Sequence, residues 1–153
     1  GITDFSFGRI SSEFSMYFPL SILPFKHTFA VRSAVKHNTN STPYYLANFI
    51  GGIDEMRGFR RNRIGGQTTF YNNVDFRVKL FNFKNYLLPM EVGMVGFADV
   101  GRAWYEEASS DKWHMNYGGS IYLNPVSLFV FNIGYAISEI DDGLIFAKAG
   151  FHF

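Results

Sequence analysis

The most chemically loaded stretch of this sequence is residues 51–66, where Arg57, Arg60, Arg61 and Arg63 stand among Gly51, Gly52, Gly58, Gly65 and Gly66. Arginine presents a rigid fork of donors that grips carboxylates and phosphates two oxygens at a time. A glycine-hinged loop rich in it can bind a phosphate-bearing lipid headgroup, nucleic acid, or carboxylates elsewhere in its own fold. Nucleic acid calls for further basic surface, and 14 Lys+Arg against 13 Asp+Glu leave a formal charge of only +1, so no nucleic-acid partner is expected. Two acids follow the loop, Asp75 and Asp99, each inside a segment of alternating polarity. A buried or lumenal carboxylate calls for a cation, and Arg57 can pair with either of them. Gly58 is expected to let the loop tip turn sharply beside Arg57. Arg60, Arg61 and Arg63 are candidate contacts for lipid or another anion.

Other reactive groupings are missing from the sequence. It has no cysteine, which removes thiolate metal sites, disulfides and cysteine nucleophiles. His27, His37, His114 and His152 are scattered, with no His-Glu-x-x-His spacing, no phosphate-cradling loop and no Gly-x-Ser-x-Gly elbow. Asp141-Asp142-Gly143 reads as a hairpin turn. The chain is expected not to be an enzyme and to use no metal or cofactor.

Strands must position Arg57 and the two acids, because period-two alternation dominates and helix-period patterning is nearly absent. In residues 70–80, Phe70, Val74, Phe76, Val78 and Leu80 point one way and Asn73, Asp75, Arg77 and Lys79 the other. Residues 90–104 set Met90, Val92, Met94, Ala98, Val100 and Trp104 against Glu91, Gly93, Val95, Phe97, Asp99 and Gly101. The same dyad recurs in 10–18, 27–36, 113–123, 129–137 and 145–153. That makes about seven strands of roughly 10 residues, the length a tilted strand needs to cross a bilayer. Turn signals fall at 19–24, 83–86, 124–125 and 141–143. The connection at about 38–66 is too long for a routine hairpin and reads as a functional loop.

Two settings suit strands with one apolar and one polar face: lipid outside with water inside, or a soluble β-sandwich with a crowded core. Aromatic residues make up 19% of the chain, more than a water-soluble core of this size needs. Several lie near strand ends, at Tyr17, Phe18, Trp104, Tyr105, Trp113, Phe151 and Phe153, which fits interfacial girdles and favours lipid. Gly93, Gly101, Gly118, Gly134 and Gly150 lie on the polar side, where close backbone approach and curvature suit the inner wall of a barrel.

The order Arg57-Gly58-Phe59, then Gly65-Gly66, then Asn73-Val74-Asp75-Phe76-Arg77, then Gly96-Phe97-Ala98-Asp99-Val100-Gly101-Arg102-Ala103-Trp104, then Tyr117-Gly118-Gly119 and a terminal Phe153 resembles the BamA/TamA superfamily of outer-membrane barrels, also called the bacterial surface antigen family. The resemblance covers most of the chain. It implies an all-β, antiparallel barrel of sixteen strands in the bacterial outer membrane, of which this chain would supply about the last seven, all in one domain. The connection at 38–66 would be the sixth extracellular loop folded into the lumen, its tip locked through Arg57 to Asp99, with Asp75 at a second acidic position. Phe151 and Phe153 would belong to the C-terminal assembly signal and to the seam with the first strand. Arg57 through Arg63 resembles members from Bacteroidetes-like bacteria. Seven strands cannot close such a barrel, so the chain is expected to be part of a longer protein or to be completed by another chain.

The function implied is insertion of β-barrel proteins or translocation of polypeptides across the outer membrane. The alternative is a membrane anchor or exporter for a patatin-like or metallophosphatase-like hydrolase domain. Expected partners are lipopolysaccharide or phospholipid, the rest of the barrel, assembly lipoproteins and substrate polypeptides.

Overall fold

The computed structural model describes residues 8–20, 26–39, 46–83, 89–105, 112–125 and 129–151, the side chain of Phe151 excepted. Among them the chain forms β1 (Arg9–Leu20), β2 (His27–Asn38), β3 (Asn48–Ile50), β4 (Ile64–Gly66), β5 (Thr68–Phe83), β6 (Met90–Trp104), β7 (His114–Pro125), β8 (Phe129–Ser138) and β9 (Leu144–Phe151). Seven of these make one sheet in the order β1-β2-β5-β6-β7-β8-β9, every pairing antiparallel. β1 and β9 are its edges, so the sheet is not closed among the described residues. β3 and β4 pair with each other in the connection between β2 and β5. That ribbon lies within the long functional loop expected there and was not itself expected. Glycine spacing hides it, because each of its strands is only three residues long.

Period-two alternation sorts side chains onto two faces. Registered neighbours show one face continuing across the sheet: Phe18 lies opposite Phe29, Phe29 opposite Phe76, and Tyr135 opposite Ile145. This face is apolar and bare. Ile145 is 81% exposed, and Phe14 and Met115 62% each. Soluble monomers rarely leave a contiguous apolar patch beyond a few hundred Å². Toward the β3–β4 end the same face turns polar, where Asn72 donates to Ser33 Oγ at 2.6 Å and His37 Nδ1 meets Thr68 Oγ1 at 2.7 Å. There Trp113 stands edge-on to both Trp104 and Phe70, with ring centroids 6.3 and 6.2 Å apart. The opposite face carries the charges, and one cluster of its buried residues lies beneath the long connection.

Three segment ends differ from expectation. β5 is longer than its alternating core because a register shift between Lys79 and Phe81 lets the pairing continue past the break. β7 runs through Asn124 and Pro125, which a turn signal had set outside the strand. Proline tolerates this position as the last residue of the strand. Pro19 likewise sits within β1. The other turn residues at 21–24 and 84–86 lie outside the described residues, as do His152 and Phe153. The bend at 139–142 precedes Gly143, whose φ of 154° leads into β9, with Asp141 N donating to Ser138 Oγ at 3.0 Å.

Candidate functional site: a loop arginine docked on the sheet

The tip of the long connection is built to point one guanidinium at the wall. Gly51 and Gly52, at φ 130° and 96°, break the chain out of β3, and a side chain on Gly51 would lie 2.5 Å from the Arg60 carbonyl oxygen. The tip then closes on itself. Glu55 N and Met56 N donate to Gly52 O (3.2 and 3.0 Å), Phe59 N to Met56 O (3.1 Å), and Gly52 N to Phe59 O (2.9 Å). Ile50, Met56 and Phe59 are buried with Ala34 of β2 and Tyr71 of β5, and Ile64 packs alongside. These apolar side chains seat the tip on the polar face. Phe59 also meets the His114 ring edge-on at 5.8 Å.

Arg57 projects from this clamp onto two carboxylates. Its Nε donates to Asp99 Oδ2 at 3.1 Å and its Nη2 to Asp99 Oδ1 at 2.5 Å, while its backbone N–H also donates to Oδ2 at 3.0 Å. Nη2 reaches Asp75 Oδ1 at 2.7 Å as well. The Asp99 side chain is wholly buried. The guanidinium lies over the Phe97 ring with 3.9 Å from Cζ to the centroid, a cation–π contact that fills its flat face. Burial opposes the charge on Arg57, but hydrogen bonds and charge from Asp99, then Asp75, outweigh it and hold its pKa above the ordinary value.

Asp99 is also held from both sides. Asn73, Asp99 and Asn116 stand directly opposite one another on β5, β6 and β7. Asn73 Nδ2 donates to Asp99 Oδ1 at 2.8 Å and Asn116 Nδ2 to Oδ2 at 2.9 Å. With Arg57 this satisfies a carboxylate that burial would otherwise penalise heavily. Asn73 also donates to the Glu55 carbonyl at 2.6 Å, and Arg77 Nη2 to Asp75 Oδ2 at 3.0 Å. Further out, Lys36 pairs with Glu55, Arg32 donates to the Asp54 carbonyl, and Lys148 of β9 donates to Asp54 Oδ1 at 2.5 Å. One loop tip thus touches β2, β5, β6, β7 and β9.

Gly58 lies in the turn expected of it, closed by Phe59 N on Met56 O, but without a positive φ. A Cβ there would lie 2.5 Å from Asn116 Cβ, so the missing side chain permits close approach to β7. Arg60, Arg61 and Arg63 are exposed. Arg61 lines a cleft of about 490 Å³ with Arg9, Lys36 and Glu55. The structure therefore brings together Arg57, Asp99 and Asp75, seats Gly58 and Phe59 beside them, and leaves the other three arginines outside this cluster. Phe151 ends β9.

The Omp85 superfamily domain matches residues 1–153. The chain belongs to the Omp85 superfamily. No curated protein and no solved structure matches it. Omp85 proteins are a family of outer-membrane proteins, and an exposed apolar face opposite a charged one suits that setting. Within this Omp85 domain, the residues not singled out from sequence are Asn73, Asn116, Phe97, Asp54 and Lys148. Asn73, Asn116 and Phe97 occupy polar-face positions in the alternation, and only cross-strand register reveals that they surround Asp99 and Arg57.

Proposed function

We propose that this Omp85 domain is part of an outer-membrane barrel that inserts β-barrel proteins or moves polypeptides across the membrane. The seven-stranded sheet forms nearly half of a sixteen-stranded wall, with its apolar face in lipid and its charged face toward a wet lumen. The long connection enters that lumen from the extracellular side, and the Arg57–Asp99 pair, with Asp75 and the Gly58-Phe59 step, locks its tip to the wall. The observation that carries this reading is the seating of a charged loop arginine on a buried carboxylate across a face whose reverse side is bare hydrocarbon. The pair is a structural lock rather than reacting groups, because Asp99 spends its oxygens on five donors fixed in place. Lipopolysaccharide or phospholipid surrounds the wall, Arg60, Arg61 and Arg63 are available to anionic headgroups, and β9 forms one side of the seam. Substrate polypeptides and assembly lipoproteins are the protein partners.

Full-length protein in phospholipid vesicles, given an unfolded outer-membrane β-barrel protein as substrate, tests the proposal. The fraction of substrate that becomes protease-resistant over time should exceed that in empty vesicles and fall in Arg57→Ala. Equal insertion with and without the protein refutes the assembly role.

A further inference from the structure

The loop tip fills only one end of the charged face. Beyond the lock, on the side away from the β3–β4 ribbon, a cleft of about 630 Å³ stays open, with Lys26, Arg77, Lys79 and Lys148 on its walls against only two acids, Asp75 and Glu91. Both acids are already engaged. Asp75 receives Arg57 at 2.7 Å and Arg77 at 3.0 Å, and Glu91 receives Lys79 and the Tyr122 hydroxyl, the latter at 3.1 Å. Arg77 and Lys148 keep about half of their side chains exposed, at 47% and 53%. Lys148 is held in turn by Asp54 of the loop tip at 2.5 Å, so Arg77, Lys79 and Lys148 are each paired and the positive excess at the cleft rests on Lys26.

The cleft also carries amides without partners. Asn124, 91% buried by its residual exposure of 9%, has an Oδ1 with no hydrogen-bond partner, and Asn132 on the neighbouring strand has the same. Amide oxygens left open in this way are suited to a ligand that offers N–H donors. Val95 and Val130 add apolar side chains to the lining. A small inorganic anion would answer the charge but neither the amides nor the valines. An extended acidic polypeptide answers all three, with carboxylates for the cations, main chain for the asparagines and methylenes for the valines.

Resting on the polypeptide-handling role above, we infer that this cleft binds an acidic, extended polypeptide segment on the lumenal side of the wall. Lys26 and Arg77 attract its carboxylates, and Asn124 and Asn132 hold its backbone. The cleft shares Asp75 and Lys148 with the loop tip, so it is altered independently of the lock at Lys26, Asn124 and Asn132, which make no hydrogen bond to the tip.

Full-length protein in lipid nanodiscs, titrated with a fluorescein-labelled peptide of about eight alternating Glu and Ala residues and followed by anisotropy, tests this. The same peptide with Lys for Glu is the comparison. The acidic peptide should bind and the basic one should not, and binding should weaken steeply as salt rises from about 50 to about 500 mM. Lys26→Gln with Asn132→Ala, neither of which touches Arg57, should weaken binding about tenfold. Lys26→Glu, at an exposed position, should weaken it as well. Equal binding of both peptides, binding unchanged by these substitutions, or no binding because the protein's own chain closes the cleft each overturns the inference. Insertion of substrate into vesicles is read separately, so normal insertion without peptide binding removes this inference alone.

Discussion

Replacing Arg57 by alanine removes three side-chain hydrogen bonds, two to Asp99 and one to Asp75, and the cation over Phe97. The backbone N–H bond to Asp99 survives, as do the amides of Asn73 and Asn116. Asp99 therefore keeps donors but loses its countercharge while still fully buried. Removing one partner of a buried pair costs about 3–5 kcal/mol. Each 1.4 kcal/mol is a factor of about ten in an equilibrium, so the undocked loop should become more populated by about two to three and a half powers of ten. The exposed Arg60, Arg61 and Arg63 provide the assay, because trypsin cuts after arginine and needs the loop released from its clamp. Where opening is fast relative to cleavage, the rate follows the open population. In folded full-length protein, cleavage within residues 60–63 of Arg57→Ala should be about a hundredfold faster or more than in the wild type. Rates within about threefold of each other would refute the reasoning, because they would mean that the arginine contributes little to holding the tip.

Asp99→Asn keeps the shape of the site and should cost less, about 1–3 kcal/mol, because Asp75 still faces Arg57. Combined with Arg57→Ala it should fall short of additivity by about 2 kcal/mol, whereas full additivity in the temperature of gel-shift unfolding would deny direct coupling. Gly58→Ala drives a methyl against Asn116 and should destabilise by about 1–3 kcal/mol. Gly96→Ala meets nothing within 4 Å and should stay within about 0.5 kcal/mol by the same gel assay. Phe59→Ala opens a cavity under the tip and should cost about 3–5 kcal/mol, read as lost heat resistance. Asp54 is held below its ordinary 3.8, chiefly by the Lys148 hydrogen bond. The contribution of that contact is complete above 3.8 and is lost as pH falls through the lowered value. Gel-shift temperatures of the wild type should therefore drop slightly between about pH 5 and about pH 3, and Lys148→Gln should remove that part of the drop.

The faces of the sheet were legible because alternation is a local property, and residues 70–80 announce theirs without help from any neighbour. Charge on Arg57 and its glycine hinges was legible for the same reason. Which acid it meets was not. Chemistry left Asp75 and Asp99 equivalent, and only resemblance singled out Asp99, 42 residues away. Asn73 and Asn116 look like ordinary polar-face residues until register sets them either side of Asp99. Lys148 lies 94 residues from Asp54, and only the curl of the sheet brings them together. Gly58 was legible in part: its place in the turn was, but the close approach to β7 that excludes a side chain there was not. The β3–β4 ribbon escaped notice because three-residue strands carry too little alternation to be seen.

The central claim is a wall greasy on one side and wet on the other, and Ile133 and Asn132, adjacent on β8, divide it. A nitroxide on a cysteine at each position, in full-length protein reconstituted in phospholipid bilayers, reports collisions with oxygen and with a water-soluble nickel chelate. The account predicts that position 133 favours oxygen and excludes nickel, and that position 132 does the reverse. Equal access of nickel to both positions would contradict it.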